Sequence, residues 1–432
     1  MKGLDLLRRE TTDNERSDTG NSTSTTTRDE RQDFNAMRAI PEQNYKACLV
    51  AIKSLQNRHG DSITAEDCRV LGKSEGAYHI VVSIGVTRKG KLERYMFRVP
   101  ATGTAALWQQ EDQYMTEREV ELLRQIRRNT NVPVPNVIDY VAELLNILGA
   151  PWMLMDILPG NSAYRIWFDQ PSEEPKYYRA DVPSPATHQK RVTFLKSLAG
   201  HMVKLLALEF DHIGIPEDLR FIGTLERMLS KLKCAALSSL RKITSSMGLR
   251  DWIDQEILQD EDQDDCDDPN EDPVMLMGVR QILQIIFNCT VFNPDRDPEK
   301  FLIHHIDLDL QNIPTDKDGV VTGIIDWDGA YAGPRYIGPT ATPRFLRRDW
   351  FPNECGPSLE HAPFMSFMTE HYRNIYAAAV HAAGKEQSID DIATRYTAKS
   401  ALYQAIFAAM YEGGHPLDIT SKGKVGLPLW NI

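Results

Sequence analysis

The stretch from residue 301 to residue 330 carries side chains of the types that bind metal ions and transfer protons. It reads FLIHHIDLDLQNIPTDKDGVVTGIIDWDGA and contains His305, Asp307, Asn312 and Asp326. Asp307 and Asn312 lie at the two ends of one short loop, and we expect the far strand of a hairpin to bring Asp326 to the same place. Converging carboxylate and amide oxygens suit Mg²⁺, which binds a few such oxygens together with waters and substrate phosphates. A carboxylate such as Asp307, which need not bind the metal, can orient a hydroxyl or amine and accept its proton.

The spacing of these residues is informative as a set and weak one residue at a time. His, Asp and Asn at the three positions of His305-x-Asp307-x-x-x-x-Asn312 arise by chance in roughly one of fifty chains of this length. A hairpin that ends in Asp326, 14 residues after Asn312, makes the combination more specific. Taken alone, Asp326 could be an ordinary carboxylate at a strand end, and His305 could be a buried core histidine.

The pattern of apolar residues predicts a small α+β lobe followed by a mainly helical one. We expect residues 1–43 to be a disordered leader because they are polar and rich in Ser and Thr. The predicted boundaries are 44–158 for the first lobe and 159–432 for the second. In the first lobe the strands are expected at 68–71, 78–86, 94–99, 137–141 and 152–158, the helices at 45–55 and 116–128, and a turn at 72–76. In the second lobe the helices are expected at 193–208, 225–240 and 275–292, the hairpin strand at 320–325, and a mainly helical region from 364 to 411.

The charge of the chain is concentrated in one segment. The formal net charge is −12, and residues 251–272 contain acidic side chains without a single Lys or Arg. The rest of the chain is electrically balanced, which argues against a nucleic-acid-binding protein because such a protein needs a basic face. We interpret residues 251–273 as an acidic surface insertion. Its alternative role is to attract a cationic substrate.

The cysteines and the apolar runs indicate a soluble protein of a reducing compartment, the cytoplasm. Six cysteines are far apart in the sequence, without a CxxC pair or a Cys/His cluster, so a disulfide framework or a structural zinc site is not expected. No apolar run is long enough to cross a bilayer, and the N-terminus resembles neither a signal peptide nor a transit peptide. No membrane partner is therefore expected.

The segment 301–330 resembles the catalytic loop and metal-binding aspartate of the aminoglycoside phosphotransferase family, a part of the protein-kinase-like superfamily. Asp326-Trp327-Asp328 stands where protein kinases have DFG. The resemblance extends from about residue 68 to about residue 420 and is closest to the fungal proteins that carry this domain. It implies a bilobal fold with a β-rich, nucleotide-binding N-lobe and a larger helical C-lobe that holds the acceptor site. Further matching stretches are REVELLRQIRRNTNVPVP, GAPWMLMDILPG and the Pro-Arg…Leu-Arg-Arg-Asp-Trp run after Asp328.

The resemblance implies a role for each residue of this segment. Asp307 would be the catalytic base, and His305 would support the loop. Asn312 and Asp326 would hold Mg²⁺, which bridges the phosphates of ATP. The implied activity is the transfer of the γ-phosphate of ATP to a hydroxyl or amine of a small molecule.

The resemblance also implies nucleotide contacts in the N-lobe, with two departures from the family pattern. Glu119 would pair with a cation on the third strand, and its spacing from the apolar residues that follow it places it on the buried helix face. The expected cation is Lys, and this chain has Arg98, which binds phosphate with a different geometry. The nucleotide loop has only two flanking glycines. The residues expected at the nucleotide are Arg98, Glu119, Gly72 and Gly76, together with the hinge residues Asp156 and Ile157.

Two other functions remain open at this point. Arg98 and the irregular glycine loop also fit a kinase-like protein that binds nucleotide or serves as a scaffold without turnover. A protein kinase is less consistent with the sequence, because no activation-loop and APE-like segment lies between Asp328 and Trp350. The sequence indicates neither the acceptor nor the oligomeric state.

Overall fold

The structure is a computed structural model that divides the chain into two compact units. Unit 1 comprises Met1–Arg127 and Val134–Leu158, and unit 2 comprises Arg128–Pro133 and Pro159–Ile432. The residues that the structure describes are 31–56, 63–88, 90–168, 183–211, 214, 300–333, 335–347, 363–389, 394, 396–401 and 404.

Unit 1 is built on a five-stranded antiparallel sheet with the strand order β1-β2-β3-β5-β4. Strands β2 and β3 form a long hairpin, in which register pairs run from His79 opposite Pro100 to Arg88 opposite Lys91. Alternating burial along β3 places one side of that strand in the core and leaves the other side partly accessible. The strands are β1 (Cys68–Glu75), β2 (His79–Arg88), β3 (Lys91–Pro100), β4 (Val137–Val141) and β5 (Trp152–Asp156).

In the part of the chain that the structure describes, this sheet is accompanied by the helices α1 (Phe34–Arg38), α2 (Glu42–Gln56) and α3 (Gln110–Asn129). The core between α2 and the sheet is centred on Phe97, whose ring makes edge-to-face contacts with Tyr45 and Trp152 at centroid distances of 5.5 Å. Helix α3 buries Val120, Leu123 and Ile126 along one face. An antiparallel sheet combined with separate helices agrees with the expected α+β class.

The predicted leader is wrong at its C-terminal end. Residues 31–43, expected to be disordered, contain α1 and the start of α2. Asp33 caps α1 by accepting a hydrogen bond from the Ala36 amide at 2.9 Å, and Met37 is buried in the core of unit 1. Arg31 forms an ion pair with Asp112 at the start of α3. A few apolar and charged anchors therefore order this segment despite its polar composition. Residues 1–30 lie outside the described residues.

Unit 2 contains two long helices that pack against each other, α5 (Pro185–Lys204) and α6 (Pro363–Glu386), and a short helix α4 (Tyr164–Trp167). Ser184 caps α5 by accepting a hydrogen bond from the Thr187 amide, and Pro185 occupies its first turn. The described residues of unit 2 also form the strands β6 (Asn161–Ser162), β7 (Glu209–Phe210), β8 (Phe301–His304), β9 (Pro314–Thr315) and β10 (Tyr331–Gly333). Strand β8 lies between β10 and β7 in a three-stranded sheet, and β6 pairs with β9.

The segment 320–325 follows a tight turn but is not a regular strand. The Asp316 carboxylate accepts hydrogen bonds from the amides of Asp318 and Val320, and Gly319 has the positive φ that the turn requires (91°). Beyond the turn the structure has a single isolated bridge between Thr315 and Val321 and no continuous ladder. The predicted strand is therefore wrong. The segment is extended, but its main-chain amides donate hydrogen bonds to carbonyls in different parts of the chain, such as those of Pro133 and Asn312.

Several expectations concern residues outside the described ranges. These are the helices at 225–240 and 275–292, the acidic insertion at 251–273 and most of the chain beyond residue 389. Among the residues that are described, no helix combines the length and the apolar character needed to cross a membrane.

Candidate functional site

The loop from His305 to Asn312, here called the Asp307 loop, holds the Asp307 carboxylate between three side chains. Arg344 Nη1 donates to Asp307 Oδ1 at 2.9 Å. Asn312 Nδ2 donates to Oδ2 at 2.9 Å and also to the Asp307 carbonyl at 2.9 Å. Gln311 Nε2 makes a longer bond to Oδ2, at 3.3 Å. The carboxylate is thus fixed in orientation while its side chain stays 30% exposed.

His305 ties this loop to the segment that carries Asp326. Its Nε2 lies 3.0 Å from the Ile325 carbonyl, so Nε2 carries the proton, because a carbonyl only accepts. The ring packs edge-on against the buried Trp327, with a centroid distance of 4.7 Å. Burial lowers the pKa of His305, while the Ile325 carbonyl and the carboxylates of Asp326 and Asp307 oppose that effect. His305 is therefore a neutral hydrogen-bond donor that joins the two halves of the site.

Asn312 and Asp326 are brought together by a main-chain hydrogen bond. The Ile325 amide donates to the Asn312 carbonyl at 2.9 Å, which places Asp326 one residue beyond this contact. Asp326 has a φ of 64°, in the left-handed region that few non-glycine residues adopt. Backbone strain of this kind is concentrated at functional sites.

These two residues fit a magnesium ion by the chemistry of their oxygens. Both hydrogen bonds of the Asn312 side chain use its nitrogen, so within the described residues its amide oxygen receives no donor. Asp326 is exposed and adds a carboxylate. The described residues include no group of three or more His, Cys, Asp or Glu that could hold a metal ion. A site of one amide and one carboxylate needs no such group, because Mg²⁺ takes its other ligands from water and phosphate.

Arg344 is a neighbour of Asp307 in the candidate site that the sequence did not predict. It begins a 3₁₀ turn, Arg344–Leu346, and its amide donates to the Leu308 carbonyl at 3.1 Å. The following Phe345 and Leu346 are buried. The Pro-Arg pair after Asp328 was part of the family resemblance, but nothing in the spacing linked this arginine to Asp307, which lies 37 residues earlier.

In unit 1 the structure brings Arg98 and Glu119 together in an ion pair. Arg98 lies on the central strand β3, between Val81 of β2 and Met153 of β5, and Glu119 lies on α3. Their side chains are 12% and 5% exposed. The carboxylate and the cation therefore compensate each other's charge inside unit 1.

The other residues of unit 1 that were expected to contact the nucleotide lie in local structure that differs from the prediction. Gly72 is not in a turn: it pairs with Ser83 within β1, after a bulge that follows Val70. The ten residues of β2 offer β1 a long partner, so the strand continues to Glu75 and the turn is displaced to Gly76, whose amide bonds to the His79 carbonyl at 2.8 Å.

At the expected hinge, strand β5 ends at Asp156 and not at Leu158. The Asp156 amide is already bonded to the Asn136 carbonyl, and its carboxylate accepts a hydrogen bond from the Asn136 amide at 2.6 Å. Ile157 is 39% exposed. Of the two hinge residues, only Asp156 thus has its amide engaged by a loop of the same unit.

Residues 79–180 match the model of the APH phosphotransferase enzyme family. The matched range is about a quarter of the 432-residue chain and includes Arg98, Glu119, Asp156 and Ile157. Asp307, Asn312 and Asp326 lie beyond it. The match therefore supports a small-molecule phosphotransferase in general and does not specify the acceptor. The chain matches no curated protein.

Several solved structures are weakly similar to the whole chain. A macrolide 2′-phosphotransferase type I has 16% identity and a TM-score of 0.40, over 90% of this chain and 99% of that chain. A mutant of aminoglycoside phosphotransferase APH(4)-Ia, in ternary complex with AMP-PNP and hygromycin B, has 16% identity and a TM-score of 0.36, over 88% and 99%. The Plasmodium vivax ethanolamine kinase has 12% identity and a TM-score of 0.36, over 84% and 83%. Likenesses this weak do not justify assigning a function.

Proposed function

We propose that the protein is an ATP- and Mg²⁺-dependent phosphotransferase of the protein-kinase-like, bilobal class that phosphorylates a hydroxyl group of a small molecule. The observation that carries this proposal is the Asp307 carboxylate, held by Asn312 and Arg344 in a loop that His305 joins to the segment carrying Asp326, through the Ile325 carbonyl. The family match of residues 79–180 supports the same class of reaction.

Asp307 acts as the base in this reaction. Its carboxylate orients the acceptor hydroxyl and accepts its proton while the hydroxyl oxygen forms a bond to the γ-phosphorus of ATP. The bond from that phosphorus to the bridging oxygen breaks, and ADP leaves with the electron pair. The hydrogen bonds at 2.9 Å from Arg344 and Asn312 fix the carboxylate, so little reorientation is needed when the acceptor binds.

Asn312 and Asp326 would hold the metal ion, which supplies positive charge for the phosphate oxygens of ATP. Asn312 contributes its amide oxygen, because its nitrogen is committed to Asp307. Arg98 serves as the phosphate-binding cation of the N-lobe, and Glu119 fixes its orientation. Gly76 at the β1–β2 turn and the end of β5 at Ile157 are the remaining candidates for nucleotide contacts. The buried, unbridged Cys48 and Cys68 support a cytoplasmic location.

The nucleotide site is tested by thermal unfolding with and without Mg·ATP. A ligand that binds the folded state stabilises it by mass action, by about 2.7 kcal/mol in the free energy of unfolding at a concentration one hundred times its dissociation constant, and this raises the melting temperature. We expect this rise in wild type and its loss in Asp326→Asn, which removes a negative charge but keeps a residue that tolerates a positive φ. The matched control is Asp318→Asn, in the exposed turn of the same hairpin.

The reaction is tested by measuring ADP release and acceptor phosphorylation over a panel of small alcohols. We expect Asp307→Ala to lower kcat by about 100-fold or more while the Mg·ATP shift in melting temperature remains. If wild type shows the shift and phosphorylates nothing, the protein is a nucleotide-binding scaffold. If it shows neither, the proposed function is wrong.

A further inference from the structure

Arg344 is held rigidly beside Asp307, although nothing in the family match or in the sequence pattern assigns it a role. The Thr342 amide donates to Ser400 Oγ at 2.7 Å, and Arg373 donates to the Leu346 carbonyl at 2.8 Å. The Arg344 amide itself bonds to Leu308. The guanidinium thus extends from a clamped segment that contacts the Asp307 loop through main chain and side chain.

The hydrogen bonds of Asp307 determine where an acceptor hydroxyl can bind. A carboxylate has about four lone-pair positions, two on each oxygen. Asn312 and Gln311 occupy the two positions on Oδ2, at 2.9 Å and 3.3 Å. Arg344 occupies one position on Oδ1. Among the contacts of the described residues, the remaining position is therefore on Oδ1, the same oxygen that Arg344 contacts.

We propose that Arg344 positions Asp307 and selects the acceptor by charge, so that the acceptor is a neutral or anionic alcohol and not a polycation. This inference rests on the proposed phosphotransferase function. The acceptor hydroxyl binds at Oδ1 of Asp307 and is therefore a neighbour of the guanidinium. Any charged group close to the reacting hydroxyl lies within a few ångströms of that cation.

The charges explain the direction of the selection. Arg344 already compensates the negative charge of Asp307, so Asp307 offers little net attraction to an ammonium group. The Arg344 and Asp307 side chains are 39% and 30% exposed, and at such partly exposed sites charges a few ångströms apart still interact appreciably. With the two charges compensated, an ammonium group gains little at this pair, whereas a phosphate or carboxylate can accept charge-assisted hydrogen bonds from the guanidinium.

The test uses three acceptors that share one diol and differ in charge: glycerol, glycerol 3-phosphate and 3-aminopropane-1,2-diol. Mg·ATP-dependent phosphorylation of each is measured as kcat and KM in wild type, Arg344→Gln, Arg344→Lys and Arg335→Gln. Arg335 is the matched control, since it also begins a 3₁₀ turn and pairs with a carboxylate, that of Glu209.

We expect wild type and Arg335→Gln to prefer the phosphate over the amine by about tenfold or more in kcat/KM. In Arg344→Gln this preference should disappear, and kcat for glycerol should fall about tenfold with little change in KM. Arg344→Lys should retain the preference, because it retains the charge, but with a reduced kcat. A purely structural role of Arg344 would not change the ratio between acceptors.

The outcomes separate this inference from the proposed function. If wild type prefers the amine, or if Arg344→Gln keeps the ratio of Arg335→Gln, the charge selection is wrong and the phosphotransferase stands. If wild type releases no ADP with any acceptor, the proposed function fails. In that case the interaction free energy of Arg344 and Asp307 is measured by urea unfolding of Arg344→Gln, Asp307→Asn and the double mutant. An interaction free energy of zero would show that Arg344 does not position Asp307 either.

Discussion

Two arginine–carboxylate pairs, one in each unit, have the same chemistry in different surroundings. Arg98 and Glu119 in unit 1 are 12% and 5% exposed, whereas Arg344 and Asp307 in unit 2 are 39% and 30% exposed. The first pair joins a central strand to a 20-residue helix. The second joins two segments whose regular secondary structure is limited to one 3₁₀ turn each. A buried pair stabilises one arrangement of charges, while a half-exposed pair can exchange a partner with a substrate.

The largest effect on stability is expected from Glu119→Gln. This change removes the carboxylate that pairs with the buried Arg98 guanidinium, which costs about 3–5 kcal/mol in the free energy of unfolding. Urea denaturation measures it. Glu117→Gln on the same helix is the control and should change the value by less than about 0.5 kcal/mol. If Glu119→Gln and Glu117→Gln changed the free energy of unfolding equally, the buried ion pair of unit 1 would contribute no special stability.

Gly319→Ala should destabilise the hairpin of unit 2 by about 1–3 kcal/mol, since an alanine there must adopt a φ of 91°. A Cβ atom would also lie 2.6 Å from the Lys190 carbonyl. Gly200→Ala, on helix α5 with nothing within 4 Å of the added atom, should stabilise by about 0.5–1 kcal/mol. Opposite signs in thermal unfolding would show that turn geometry stabilises the hairpin. Two similar values would contradict this.

Helix α5 holds the irregular hairpin of unit 2 through side chains, and one of them makes the stability of the protein depend on pH. Ser197 Oγ accepts a hydrogen bond from the Val321 amide, and His201, one turn further along α5, interacts with the Val321 main chain. Burial lowers the pKa of His201 from 6.5 to about 4. As the pH is lowered, His201 is protonated in the unfolded chain at about pH 6.5 but in the folded protein only at about pH 4. The free energy of unfolding therefore decreases as the pH drops from about 6.5 to about 4. His201→Gln should reduce this slope by up to one proton, measured by urea titrations across the range. An unchanged slope would contradict the assignment.

The smallest effect should come from Arg344→Gln, which we expect to change the free energy of unfolding by less than about 1 kcal/mol. Asp307 stays half-exposed in this variant and keeps its bond to Asn312 at 2.9 Å. The free energy of unfolding of Arg344→Gln is measured by urea denaturation and compared with that of Glu119→Gln under the same conditions. A loss as large as that of Glu119→Gln would show that both pairs are structural and would remove the contrast between the two units.

The sequence was informative where one periodicity governs a whole element. The patterns along β2 and β3 predict these strands within three residues at each end. The apolar face of α3 predicts where that helix ends and places Glu119 on the buried face, but the helix begins earlier than predicted, at Gln110 and not at residue 116. The prediction fails where a local signal competes with a distant one. The glycine at 72 indicates a turn, but pairing with β2 extends the strand through it.

The candidate site shows the same division. Asp307, Asn312 and Asp326 follow from residue types and spacing, because local chain geometry brings them together. Arg344 contacts Asp307 only because the segment 342–346 is fixed by residues far along the chain, such as Arg373 and Ser400. No short-range pattern encodes such a contact, so it becomes visible only in the folded chain.

The left-handed backbone of Asp326 restricts how this position can vary through evolution. At a φ of 64° only glycine, asparagine and aspartate are tolerated at low cost. A carboxylate at the same position requires aspartate or glutamate, and glutamate is not among the residues that this backbone accepts readily. The two requirements overlap in one amino acid. Any amino-acid replacement here would therefore lose either the conformation or the charge, and only an exchange between the two aspartate codons would be neutral.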